Sequence, residues 1–398
     1  MPARSLRIVH VIAGLQASGA EIALYRLVAQ SGANGLSHTV VSLTGRGELA
    51  PDLEAVGCKV VSLGLRPGLQ LPLDLIRAAR TLAGLKPDVI QGWMVHGNLV
   101  AWATRLLLHR RAKLAWNLRM SLKNAVYESA RTLRLTRWAG QASRTVDLLI
   151  SNSAAGLEDH LAIGYAPRGT AVIPNGYDPE IFRPDPLVRS RMRRDWDMPD
   201  HAVVFGLIGR YHAVKGHDVF IQAAALARAR DDMMFVLAGR DASPGNPELN
   251  AALERHGLKE RFRLLGARSD IPAVLCGLDV VCIPSVYEGF PNSLGEAMAT
   301  GLPCIATDVS DVARIMGDSG RLIAVGDGQG LADAMADLAA LGPAGRASLG
   351  ERARDRILKN YSLARVAADY GERYRALVEG ERRLDGSQRA HARQGETA

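Results

Sequence analysis

Aromatic residues make up only 5% of the 398-residue chain, and cysteine occurs four times, at Cys58, Cys276, Cys282 and Cys304. No two cysteines stand in a Cys-x2-Cys spacing and no His-x3-His pair lies near them, which argues against a zinc site and for reduced thiols in a cytoplasmic protein. No apolar run reaches the ~20 residues that a membrane-spanning helix needs. Arg4 and Arg7 ahead of Ile8-Val9-His10-Val11-Ile12 imitate a signal peptide. His10 interrupts that short run and an amphipathic pattern follows at once, so a first β-strand accounts for it better. The loop after it, Gly14-Leu15-Gln16-Ala17-Ser18-Gly19-Ala20-Glu21, lacks the full dinucleotide fingerprint and the P-loop pattern, which disfavours a nicotinamide-dependent oxidoreductase. Gly19 either permits the turn into the helix or lets backbone approach a ligand in an interdomain cleft.

What is present is an ordinary globular balance, 47% hydrophobic and 23% charged, over a length that predicts two domains. Short apolar runs alternate with longer amphipathic stretches. In the first half the runs are 8–13, 39–43, 59–63, 88–93, 113–118, 146–151 and 171–174, with helical patterns over 21–29, 72–82, 97–108 and 154–163. Runs that are apolar on both faces suit buried parallel strands, and strand–helix alternation implies doubly wound α/β sheets. Between 178 and 186 three prolines fall within nine residues, which reads as a linker. The alternation restarts over 203–208, 233–238, 262–265, 279–284, 303–307 and 322–325. The expected division is a first domain over 1–182, a second over 183–361, a helix over 362–377 and a disordered polar tail over 378–398.

The strongest motif runs from Tyr287 to Pro303. A buried strand leads into Glu288-Gly289-Phe290-Pro291, and a helix starts near Asn292 or Ser293. Ligands of open α/β sheets bind beyond the carboxyl ends of strands, and a helix N-terminus there favours a phosphate through the amides of Asn292, Ser293 and Leu294. Glu288 and Glu296 flank this anion site, and each carboxylate can accept hydrogen bonds from paired sugar hydroxyls. Ser293-x-x-Glu296 is also a capping box, so Glu296 alone is open to both readings. A second strand-to-helix loop, Gly209 to Asp218, carries Arg210 and Lys215. Two cations there can neutralise a departing diphosphate, or they are solvated surface charges. Val172 to Asp178, with Pro174-Asn175-Gly176, reads as a strand and a turn, a structural hinge before the linker in preference to a direct ligand contact.

Together these residues resemble family 4 of the retaining glycosyltransferases. The matching pieces are Gly-Arg-(x)4-Lys-Gly over 209–216, the Glu288/Glu296 spacing, Glu-Ala-Met-Ala-x-Gly-x-Pro over 296–303, Ser151-Asn152-Ser153 and Pro174-Asn175-Gly176. The resemblance covers about residues 5 to 377. It implies the GT-B fold, α/β, with two Rossmann-like domains facing a cleft. It implies a nucleotide-sugar donor held mostly by the second domain: the diphosphate by Arg210 and Lys215 beside Gly209, the sugar and its phosphate by Glu288 and the backbone of Gly289 to Leu294, the ribose by Glu296 and the base by Gly266, Ala267 and Arg268. The final helix is expected to cross back onto the first domain. Many members carry a histidine after the strand here at 113–118; this chain has Trp116-Asn117-Leu118-Arg119, so Asn117 or Arg119 is the candidate replacement. His96, after the preceding strand, either faces the cleft or is structural.

The expected enzyme is a retaining, metal-independent, hexosyltransferase-type glycosyltransferase of polysaccharide or glycoconjugate biosynthesis. It moves sugar from a UDP- or GDP-sugar to a saccharide or lipid-linked acceptor and needs no cofactor, because no Asp-x-Asp cluster suited to Mg²⁺ accompanies the site motifs. The rivals are a nucleotide-sugar epimerase, an inverting transferase and a non-catalytic nucleotide-sugar-binding protein. The net charge of +8 is concentrated: between Thr104 and Arg144 ten basic residues stand against Glu128 alone. Trp102, Tyr127, Leu133 and Trp138 are interleaved with them, and a helix from Asn124 onward would set Arg131, Arg134 and Arg137 on one face and Val126, Ala130 and Leu133 on another. That pattern fits docking at an anionic membrane surface, on the inner face, against the alternative of a solvated basic face. No groove-reading motif accompanies the charge, which disfavours nucleic acid.

Overall fold

The computed structural model describes residues 5–32, 35–65, 71–107, 112–120, 122 and 130–379. The fold is GT-B, built of two Rossmann-like α/β units. The first unit comprises the chain up to Gly176 together with the segment from Leu363 onward, and the second runs from Tyr177 to Ser362.

The first sheet contains β1 (Leu6–Ile12), β2 (Leu36–Ser42), β3 (Lys59–Ser62), β4 (Val89–Trp93), β5 (Lys113–Leu118), β6 (Leu148–Ser151) and β7 (Thr170–Val172). They lie in the order β3-β2-β1-β4-β5-β6-β7, all parallel. One face packs against the helices Leu71–Leu85, Met94–Leu107 and Ala130–Ala142, around Ala78, Leu82, Val95, Ala101 and Ala139. The other packs against Gly19–Ser31 and Leu363–Glu379, around Leu24, Leu27, Val366 and Tyr370. The central strands are covered on both sides, which is why β4 is buried at all five positions.

The second sheet contains β8 (Val203–Ile208), β9 (Met233–Ala238), β10 (Phe262–Leu264), β11 (Val280–Ile283), β12 (Cys304–Thr307) and β13 (Gly320–Ile323), in the order β10-β9-β8-β11-β12-β13, all parallel. The sheet order reverses between β8 and β11. Such a switch point splays two consecutive loops apart and opens a crevice at the carboxyl ends of the strands.

All thirteen apolar runs are strands, with shifts of a few residues at their ends. The proline-rich stretch is more ordered than a linker. Its last proline opens the helix Pro186–Asp195, capped by Asp185, whose carboxylate accepts from the amides of Leu187 and Val188 at 2.9 and 3.0 Å. Residues 177–182, assigned to the first domain by the linker reading, cluster with the second unit. Val378 and Glu379, assigned to the tail, are the last residues of the helix Leu363–Glu379; residues 380–398 lie outside the described residues. The four cysteines are buried free thiols. No helix among the described residues is long and apolar enough to cross a membrane.

Candidate active site

The second-unit motifs meet at the switch point. β8 ends in Gly209, the loop turns at Ala213–Lys215, and Gly216 with φ +69° starts the helix His217–Leu226. A Cβ on Gly216 would lie 2.0 Å from the Pro284 carbonyl oxygen, so only glycine lets the loop touch the end of β11. Val286 N–H closes the junction by donating to Val214 O at 2.8 Å. The stem of Lys215 runs across Gly209, about as close as a Cβ there would allow, with 3.5 Å to that position.

Lys215 then reaches over to the other loop. Its Nζ donates to Glu288 Oε1 at 2.7 Å, and Ser285 Oγ donates to the same oxygen at 2.7 Å. Thr307 Oγ1, from β12, donates to Ser285 O at 2.5 Å and so steadies the residue that steadies Glu288. The Glu288 side chain is 8% exposed and that of Lys215 25%. A lysine ammonium has three N–H donors, and this bond uses one. Arg210 lies in the same loop and is exposed, and its guanidinium pairs with no carboxylate among the described residues. One cation and one carboxylate, from residues 73 positions apart, therefore meet where β8 and β11 end.

The helix Asn292–Ala299 starts two residues before the capping-box reading requires. Its N-cap is Pro291, without a side-chain cap, so Glu296 is the fifth helical residue instead of the third and no Ser293–Glu296 box forms. The anion site is also narrower than expected. Asn292 N–H donates to Phe290 O at 2.9 Å and Leu294 N–H to Pro291 O at 3.1 Å, so of the three amides only that of Ser293 is outside these turn bonds. The side chains of Phe290, Pro291 and Leu294 are buried. Gly289 is half-buried, with its carbonyl accepting from Ser310 Oγ at 3.4 Å. Gly295 has the Tyr177 ring against it, where a Cβ would come within 2.0 Å of that ring.

The expected base-contact loop lies farther out. Gly266 is pinned by Gly239 N–H, which donates to its carbonyl at 2.8 Å, while Ala267 and Arg268 are exposed. Arg268 grips Asp270 through Nε and Nη2 at 2.7 and 2.6 Å, at the end of β10, two strand spacings or about 10 Å from β8.

Two side chains at this site carry no sequence signature. Ser285 is recognisable only once Glu288 is seen to fold back on it. His217 is 3% exposed with both ring nitrogens unpartnered, and its ring lies 5.0 Å from that of Tyr211. Burial pushes its pKa down to about 4, so the imidazole is neutral.

In the first unit the structure separates the candidates. Asn117 is fully buried: its amide group donates to the Tyr370 hydroxyl at 2.7 Å and its backbone pairs with the Asn98 side chain at 3.2 and 3.3 Å. Its Oδ1 is buried without a hydrogen-bond partner among the described residues. Arg119 is half-exposed. Its guanidinium lies 4.8 Å from the Trp93 ring centroid and donates to Asn175 Oδ1, so Pro174-Asn175-Gly176 holds Arg119 in place. Trp93 is fixed in turn, its Nε1–H donating to His10 Nδ1 at 3.1 Å, which leaves His10 Nε2–H to donate to His38 Nδ1 at 2.9 Å. His96 is exposed in the first turn of its helix, next to Met94, whose φ of +59° marks a strained turn out of β4. Gly19 is the exposed first residue of its helix and does not have a left-handed backbone, so the turn itself does not demand glycine.

The basic segment is also redrawn. Arg105 is buried and spent on Asp147 at 3.0 Å, and Arg119 is engaged as above. Arg110, Arg111, Lys123, Asn124, Val126, Tyr127 and Glu128 lie outside the described residues. Arg131, Arg134 and Arg137 are exposed, without a carboxylate partner among the described residues, and Trp138 between them is 53% exposed. Ala130 is exposed too; the buried stripe of that helix is Thr136, Ala139 and Gly140.

Comparison with known proteins agrees with the fold. Residues 202–340 match the family model described as glycosyl transferases group 1, and residues 18–176 match the glycosyl transferase 4-like domain. The lipopolysaccharide core biosynthesis mannosyltransferase LpsB of Rhizobium meliloti is 28% identical over 357 residues, covering 87% of this chain and 95% of that protein. An Escherichia coli UDP-Gal:α-D-GlcNAc-diphosphoundecaprenol α-1,3-galactosyltransferase is 33% identical over 147 residues, 36% of this chain and 38% of that one. The crystal structure of Anabaena HepE in complex with UDP superposes with a TM-score of 0.80 at 22% identity, covering 93% of this chain and 100% of that one.

Proposed function

The chain belongs to the group 1 glycosyl transferases, and we propose that it transfers a hexose from a UDP- or GDP-sugar, with retention and without a metal ion, to a saccharide or lipid-linked acceptor in polysaccharide or glycoconjugate synthesis. The observation that carries this reading is the Lys215–Glu288 bond, which sets a cation and a carboxylate side by side at the switch point of the nucleotide-type sheet. The printed names of LpsB and of the galactosyltransferase support the saccharide and lipid-linked acceptors, and the UDP named in the galactosyltransferase and HepE descriptions supports the uridine donor.

In this mechanism the spare N–H groups of Lys215, the Arg210 guanidinium and the Ser293 amide bind the diphosphate where its charge grows as the bond from sugar C1 to phosphate oxygen breaks. The acceptor oxygen bonds to C1 on the face the diphosphate leaves, and its proton passes to a phosphate oxygen. Glu288, held by Lys215 and Ser285, receives hydroxyls of the transferred sugar through its remaining acceptor capacity. With the charge carried by protein cations, transfer is expected to continue in excess chelator, read as diphosphate released from a panel of nucleotide sugars with acceptor. Loss of activity in chelator with recovery on Mg²⁺ or Mn²⁺ overturns this assignment of charge.

Glu296 is assigned to the ribose. Glu296→Gln is expected to raise the donor KM about 10-fold, the worth of one charge-assisted hydrogen bond. A lowered melting temperature with an unchanged KM refutes the role.

The first unit is assigned to an anionic membrane surface on the cytoplasmic side, through the helix that carries Arg131, Arg134, Arg137 and Trp138. The neighbouring helix Met94–Leu107 exposes Leu106 and Leu107, and Leu71–Leu85, which packs on that helix in turn, exposes Leu73, Ile76, Arg77 and Arg80.

A further inference from the structure

Glu288 uses its two oxygens unequally. Lys215 Nζ and Ser285 Oγ both donate to Oε1, each at 2.7 Å. Oε2 has no hydrogen-bond partner among the described residues and is not enclosed. Two other carboxylates are about as buried and behave differently. Side-chain exposure is 6% at Asp147, 10% at Asp279 and 8% at Glu288. Asp147 Oδ1 accepts from Arg168, and its Oδ2 accepts from Arg105 and the Leu114 amide. Asp279 Oδ1 accepts from Arg189, and its Oδ2 accepts from Arg193 and the Val204 amide. Those two carboxylates tie strands together with both oxygens. Glu288 is equally withdrawn from water, yet it keeps one oxygen, with both lone pairs, for a group outside the chain.

The imbalance comes from Ser285. An ammonium is a compact charge on a flexible stem and pairs with either carboxylate oxygen. Lys215 alone would leave the Glu288 carboxylate free to turn about its last bond. Ser285 lies three residues upstream, is 1% exposed and donates its one hydroxyl hydrogen to Oε1. Its own backbone is fixed from β12, where the fully buried Thr307 donates through Oγ1 to Ser285 O at 2.5 Å. The far side of the turn is held from the same strand end. Ser310 takes a left-handed φ of +52°, uncommon for a residue other than glycine, and its Oγ donates to Gly289 O at 3.4 Å. The loop after β11 is thus gripped on both sides of Glu288, and the serine hydroxyl sets the rotation of the carboxylate.

We propose that Ser285 is a positioning residue that governs which sugar the site accepts: by holding Oε1 it presents Oε2 alone, in one orientation, to a hydroxyl of the donor sugar. The proposal rests on the sugar-transfer reading above. Epimers differ in the direction of one hydroxyl. A carboxylate that cannot turn meets one epimer and misses the other, whereas one that can turn follows either. Ser285 acts through Glu288 and touches no sugar itself.

The test measures calorimetric affinities of the full chain for UDP, UDP-glucose and UDP-galactose, and for GDP, GDP-glucose and GDP-mannose. The original chain is expected to prefer one epimer of a pair by about 10-fold, the worth of one hydrogen bond to a charged group. In Ser285→Ala that preference is expected to fall toward unity while affinity for UDP or GDP alone is unchanged. Ser285→Thr keeps the hydroxyl and is expected to keep the preference. Should Ser285→Ala fail to fold, Thr307→Val keeps the shape, removes the hydroxyl that fixes the Ser285 carbonyl, and is expected to lower the preference in the same direction. A merely structural serine weakens the nucleotide and both epimers alike, which leaves the preference intact and overturns the proposal. No preference in the original chain overturns it too, and in both cases the sugar-transfer reading stands. Binding of no nucleotide sugar by the original chain is failure of that reading, and the proposal falls with it.

Discussion

Lys215→Ala slows sugar transfer by about two orders of magnitude, which corresponds to ~2.7 kcal/mol of transition-state stabilisation. Two losses add. The departing diphosphate loses a charge-assisted donor, worth about 1.5–3 kcal/mol in a partly dry site. The Glu288 carboxylate, 8% exposed, loses its cation and keeps only Ser285 Oγ on Oε1. Breaking a fully buried ion pair costs about 3–5 kcal/mol of stability. Lys215 is a quarter exposed, so about 1–2 kcal/mol is the expected loss here, visible as a lowered melting temperature. Glu288→Gln keeps the shape and spares the leaving group its cation, so it slows transfer less, about 10-fold, through the weaker grip on sugar hydroxyls. In the double variant the neutral amide that replaces the Glu288 carboxylate no longer needs a counter-ion, so the effects on stability are less than additive. Steady-state kinetics with donor varied, together with thermal melts of the three variants, decide the matter. A Lys215→Ala enzyme with unchanged kcat removes the residue from the reaction, and strict additivity removes the coupling.

The sheets were legible because burial on both faces writes a parallel strand as a local run of Val, Ile and Leu, and a run such as Met233–Ala238 cannot be mistaken for a surface helix. The loops after β8 and β11 were legible for a related reason: glycine and charge placed directly after a buried strand mark a crevice. Their contact was not. Lys215 and Glu288 carry no local sign of each other, and Gly216 shows its purpose only against Pro284. Nor were the partners of Asn117 legible: Asn98 and Tyr370, 19 and 253 residues away, take up its backbone and its Nδ2, while Oδ1 is buried without a hydrogen-bond partner among the described residues. The turn at Phe290–Leu294 misled. Counting free amides from a helix start ignores the tight turn before it, which consumes two of them. Three prolines in nine residues concealed the helix Pro186–Asp195, because proline is as much at home in the first turn of a helix as in a linker.

Changing Arg131, Arg134 and Arg137 to glutamate abolishes binding to anionic vesicles while the fold persists. The three guanidiniums are exposed and pair with no carboxylate among the described residues, so their replacement breaks no internal contact; the helix is anchored by Thr136, Ala139 and Gly140 on its other side. Each cation near an anionic leaflet contributes about 1 kcal/mol, so removing three weakens binding by roughly 150-fold, and reversing them weakens it further. Charge alone would also attract other polyanions, but the same face carries apolar groups that a headgroup region accepts. Trp138 is 53% exposed and meets the Trp102 ring edge-on at 5.5 Å, Leu107 is 51% exposed on the neighbouring helix, and Leu73 is 70% exposed on the helix beyond it. Arg77 and Arg80 extend the positive charge, against the half-buried Asp74. Trp138→Ala therefore weakens binding by a smaller factor and leaves its salt dependence intact, since the electrostatic part decays with the Debye length whether or not the indole inserts. Co-sedimentation with neutral and with phosphatidylserine-containing vesicles, at low and at physiological salt, reads both effects. Equal binding to the two vesicle types, or a triple variant that sediments like the original chain, contradicts membrane docking through this face and returns these arginines to the role of a solvated surface.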